Sequence, residues 1–84
     1  MSLSKSVLKG IASSLDNFES HIVKIGNAKN VGNEWLYSYY QDEIKEITNT
    51  IKKMFTKVNT SQARVISLQE RFDDLLLSYK NFLT

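Results

Sequence analysis

In the first third of the chain the apolar residues Leu8, Ile11, Leu15, Phe18, Ile22 and Ile25 recur at alternating spacings of three and four. That period keeps one face of a helix turned toward a neighbouring helix, so the pattern predicts a helix over residues 3–25. The stripe stops at the segment Gly26-Asn27-Ala28-Lys29-Asn30-Val31-Gly32-Asn33. Gly26 suits the left-handed position that follows a helix end, Asn33 suits an N-cap, and Glu34 places a carboxylate at the positive end of the next helix. A turn over 26–33 is expected.

From Tyr37 the same spacing resumes through Tyr40, Ile44, Ile47, Ile51, Met54, Val58, Ser61, Val65, Leu68, Phe72, Leu75, Tyr79 and Phe82, with Ser61 the one polar residue in step. The chain has no proline and no glycine after residue 32, so composition supplies no strong breaker. The expectation is an all-α fold: a helical hairpin with a short first helix and a long second helix over 34–83, packed in a dimeric coiled-coil or four-helix arrangement. At 1.5 Å per residue the second helix would run roughly 75 Å, about twice the first. Half of its seam then lacks cover within one chain. Val65, Leu68, Phe72, Leu75, Tyr79 and Phe82 are therefore candidate partner-binding residues, facing a second copy of the chain or another helical protein.

The alternative is a three-helix bundle broken near Asn59-Thr60-Ser61-Gln62, where Ser61 can cap and Asn and Thr form helix weakly. It requires a turn without glycine or proline, and a stripe that keeps its phase across that turn. The continuous helix is the favoured reading on those two grounds.

Eighty-four residues suffice for one helical domain over 1–84, with a modest core. Hydrophobic content of 42% against 24% charged residues is that of a chain that folds. With no cysteine there is neither a disulfide framework nor a thiolate metal site. No apolar run approaches the ~20 residues of a membrane span. The start is serine-rich and free of acids until Asp16, in the manner of an organellar transit segment, yet it lacks arginine and its apolar spacing continues unchanged to Ile25. An integral first helix is expected, in a protein that is cytoplasmic or secreted without a cleavable signal. Met1 to Leu3 are compatible with a cloning remnant.

The inventory of reactive groups points away from catalysis, and no cofactor, metal or small-molecule substrate is expected. His21 is the single histidine; beside the seam, it reads as a flanking residue with one ring nitrogen in water. Asp42-Glu43 and Asp73-Asp74 are sequence neighbours, which on a helix point about 100° apart rather than at one substrate. Net charge is only +2, but no acid occurs between Thr48 and Gln69 while Lys52, Lys53, Lys57 and Arg64 do. Those four are candidate contacts for an anion. A membrane surface is an admissible partner for them, and nucleic acid a weaker one, since basic residues are not interleaved with aromatics. Trp35 and Tyr39 lie off the seam, and aromatic rings of that kind are enriched at binding hot spots, so both are candidate partner anchors. Tyr37 and Tyr40 fall on the seam and are expected to plug the bundle end against Phe18, Ile22 and Ile25.

A helix, a glycine-containing turn with a tryptophan and a second helix, in under a hundred residues without cysteine, resembles the WXG family of small helical hairpins exported by type VII secretion systems. The bend here reads Gly32-Asn33-Glu34-Trp35-Leu36-Tyr37, so Trp35 matches the motif tryptophan and Tyr37 stands where its glycine would be. The family's tail signal, a tyrosine followed four residues later by an acid, is not met at Tyr79, which is followed by Leu83. The resemblance implies a non-enzymatic protein that pairs as a dimer and is secretion-associated. In outline the long helices are also similar to those of membrane-shaping BAR-type domains.

Overall fold

A computed structural model describes residues 3–83, with side chains from residue 5 onward; Met1, Ser2 and Thr84 lie outside the described residues. Among these, regular structure consists of three helices: α1 Leu3–Asn30, α2 Glu34–Phe55 and α3 Ala63–Leu83. The fold is all-α, and it is the three-helix arrangement rather than the hairpin with one long second helix.

The first turn differs in place from the sequence expectation. α1 continues through Gly26 to Asn30, and the left-handed residue is Gly32, at φ +72°. Gly32 N–H donates to Lys29 C=O at 3.1 Å and Asn33 N–H to Ala28 C=O at 2.9 Å. These two bonds form a Schellman closure, which satisfies carbonyls that the helix end would leave orphaned. Asn33 then opens α2: its side-chain oxygen accepts from Leu36 N–H at 3.1 Å, and its carbonyl from Tyr37 N–H. One residue thus closes one helix and caps the next.

The second turn occupies residues 56–62 and is built without a glycine, a proline or any positive φ. Thr56, Lys57 and Val58 donate to Lys53, Met54 and Phe55 carbonyls, tightening the end of α2 into a 3₁₀-type turn. Asn59 then reverses the chain, its side-chain oxygen accepting from Ser61 N–H at 3.0 Å and from the Ser61 hydroxyl at 2.7 Å. Such an Asx turn mimics a backbone turn with a side chain, which is how the break forms without the usual breakers. Ser61 serves this turn, and the first α3 bond runs from Ile66 N–H to Gln62 C=O. The loop is one heptad long, so the apolar count stays in step across a break through which no helix passes.

Helices α1 and α2 run antiparallel: His21 faces Tyr40 and Glu43, and the position of a Cβ on Gly10 lies 3.4 Å from Met54 Sδ. Helices α1 and α3 run parallel, with Arg71 reaching Asp16 and Glu19, and Phe82 lying beside Gly26. The bundle measures 47 × 20 × 15 Å, set in length by the 28 residues of α1.

Its core comprises Leu8, Ile11, Leu15, Phe18 and Ile25 of α1, Ile44, Ile51 and Phe55 of α2, and Val65 and Phe72 of α3. The buried face of α2 is turned slightly from the heptad seam: Thr48 and Phe55 are buried, while Ile47 and Met54 are half-buried at its edge. Thr48 is accommodated by donating its hydroxyl to Lys45 C=O at 3.0 Å. At the far end Lys29 Nζ donates to Phe82 C=O at 3.2 Å and sits 4.8 Å over the Phe82 ring, which ties the last turns of α1 and α3.

The two glycines of the α1 exit should respond oppositely to alanine. Gly32→Ala meets open space but a left-handed backbone, and should lower stability by about 1 kcal/mol. Gly26→Ala sits in helix interior with Phe82 at an ordinary 3.9 Å, and should raise it by about 0.5–1 kcal/mol. Urea melts of both variants decide the point; a Gly32→Ala protein as stable as the parent would mean that the exit does not require φ above zero.

Candidate functional site

The first turns of α2 carry the largest exposed rings. Asn33 and Glu34 start the helix so that Trp35 and Tyr39, one turn apart, project from the side not used by the core. Trp35 is 72% exposed and Tyr39 46%, and their rings lie parallel with centroids 5.5 Å apart. Val31, just past the end of α1, is 76% exposed and lies close to them in sequence. Between the α1 end and the α2 start an open hollow of about 210 Å³ is lined by Lys24, Asn27, Ala28, Val31, Leu36 and Tyr40.

This corner is wired to the interior. Tyr39 touches Tyr40 at 5.6 Å, and Tyr40 meets His21 edge-on at 5.9 Å. His21 is buried, with Nδ1 2.9 Å from Asn17 C=O and Nε2 3.1 Å from Glu43 Oε1. Both ring nitrogens therefore face an oxygen of the chain rather than water. The expectation of one wet nitrogen is therefore corrected: His21 is an interhelical fastener on the 18, 21, 25, 28 face, a face hidden in the sequence because Ile22 beside it carries the heptad count. Tyr37 and Tyr40 are half-buried against the core, and their rings also meet Phe82 and His21.

The seam expected to lie uncovered on a long second helix is packed, wholly or in part, against the chain's own core. Val65 and Phe72 are buried inside the chain's own core, and Leu68, Leu75, Tyr79 and Phe82 are half-buried against it, because the 56–62 turn folds α3 back along α1. Phe18 stands edge-on to both Phe72 and Tyr79, at 6.2 and 6.3 Å. Burial, and next to it the neighbouring Tyr37, pushes the Tyr79 hydroxyl above its ordinary range.

Lys52, Lys53, Lys57 and Arg64 are all exposed, at the end of the bundle opposite Trp35. Arg71 instead donates to Asp16 at 2.7 Å and lies 3.3 Å from Glu19; the Asp16 hydrogen bond leads in holding its guanidinium more firmly protonated than usual. Among the described residues no group of three His, Cys, Asp or Glu side chains is placed to hold a metal, and no helix is long and apolar enough to cross a membrane. Comparison of the chain with known protein families, with curated proteins and with solved structures yields no match.

If the corner is surface and the Phe18 cluster is framework, truncation should separate them. Trp35→Ala and Tyr39→Ala should each change stability by no more than about 1 kcal/mol, whereas Phe18→Ala should cost about 3–5 kcal/mol. Thermal melts of the three variants give the comparison, and a Trp35→Ala loss as large as that of Phe18→Ala would make the corner part of the core.

Proposed function

We propose that the chain is a non-enzymatic helical interaction module that docks a helical partner protein on the corner formed by Val31, Trp35 and Tyr39. The observation that carries the reading is the exposed, parallel Trp35–Tyr39 stack, with Tyr39 against Tyr40 and Tyr40 against His21, on a bundle that already encloses its own core. Pre-organised rings lose little entropy when covered, and aromatic residues dominate the energetics of binding patches. Their spacing of one helical turn suits the apolar stripe of a partner helix lying along the hollow beside them. Trp35 follows the bend as in the secretion family that the bend resembles, so an exported or export-linked partner is included in the reading.

The test places a photo-crosslinking residue at Ser38, which is exposed on α2 next to the two rings. Cell extract and the purified, labelled protein are irradiated together, with and without the further pair Trp35→Ala and Tyr39→Ala. Partner adducts, whether to another protein or to a second copy, should fall at least about tenfold in the double variant while its melting temperature holds. Equal adduct yield from both proteins, or none from either, would sink the reading.

A further inference from the structure

The fold brings together two stretches of sequence that lack any carboxylate. Residues 1–15 and 47–69 contain neither Asp nor Glu. Because Gly10 lies beside Met54 and α3 sets off from the 56–62 loop along the first half of α1, both stretches occupy the same end of the 47 Å bundle. That end carries Lys5, Lys9, Lys52, Lys53, Lys57 and Arg64, all exposed, and no ion pair among the described residues involves any of them. The remaining five cations share the other half with all nine carboxylates. A net charge of +2 therefore conceals a rod with a basic end and an acidic body.

We infer that this basic end docks on an anionic phospholipid surface, with the bundle standing end-on and the aromatic corner held away from the lipid. Five of the six cations are lysines, compact charges that suit a diffuse layer of headgroups better than the bidentate reading of a single site. The positive ends of α1 and α3 point the same way, against one negative end from α2. At the loop tip the Thr56 and Ser61 hydroxyls already donate to Lys53 C=O and Asn59 Oδ1, and the exposed Thr60 hydroxyl is the one that a headgroup oxygen can meet. Nucleic acid is the less suitable polyanion here, because Phe55 is the one aromatic residue of this half and it is buried, leaving no ring for a base to stack on. The acidic body is repelled by the same surface, and that repulsion sets the orientation.

Co-sedimentation with phosphatidylserine-containing phosphatidylcholine vesicles, with pure phosphatidylcholine vesicles and with a duplex oligonucleotide tests the inference. Binding to the anionic vesicles is expected at roughly 0.05 M salt and is expected to be lost at roughly 0.5 M. At about fivefold per lysine, the triple variant K52Q/K53Q/K57Q should bind on the order of 100-fold more weakly. The matched triple K24Q/K45Q/K80Q, in the other half, should bind within about fivefold of the parent. Trp35, the single tryptophan, should keep its emission on vesicle binding and escape quenching by brominated lipid. No vesicle binding at low salt, equal losses from the two triples, quenching of Trp35, or tighter binding to the oligonucleotide than to the vesicles would each overturn it. Circular dichroism of both triples, all at exposed positions, guards the comparison against misfolding.

Discussion

The structure depends on one shared surface, the buried face of α1. Leu8, Ile11, Leu15, Phe18 and Ile25 meet α2 on one side and α3 on the other, and Phe18 is the point where Phe72 and Tyr79 converge. In a chain of this size, with no disulfide to restrict the unfolded state, stability rests on apolar burial of this kind. A helix covered on two sides removes more of its surface from water than one side of a hairpin does, which is why α3 folds back on α1 instead of extending into solvent.

Two turns make that return possible, and they work by different chemistry. The α1 exit uses the backbone freedom of Gly32 and the side chain of Asn33, whereas the α2 exit uses the side chain of Asn59 in place of any special backbone. Both turns saturate main-chain groups locally, so neither needs burial to be stable. Among the described residues, polar ties that cross between helices include His21 to Glu43, Arg71 to Asp16 and Glu19, and Lys29 to the end of α3. Exposed pairs such as those of Arg71 contribute little to stability.

The same topology separates two surface chemistries. Antiparallel packing of α2 on α1 carries Trp35 and Tyr39 to one end and Lys52, Lys53 and Lys57 to the other. Parallel packing of α3 then adds Arg64 to the basic end. The rod thus presents exposed rings at one end and exposed cations at the other.

By itself the sequence determined that the chain is helical, where α2 begins, and which residues are apolar enough to be buried, because these follow from local period and capping chemistry. The break at 56–62 was legible only as an alternative: its seven residues preserve the heptad phase, and the Asx turn at Asn59 uses no glycine or proline. Local signals do not say whether an apolar stripe is covered by its own chain or by another, so Val65 and Phe72 read equally well as interface and as core. Trp35 and Tyr39 were legible as off-seam rings, but their stack and its link through Tyr40 to a buried His21 were not. Only the tertiary structure decided these points, along with the union of two acid-free stretches at one end, because each depends on contacts between residues far apart in the chain.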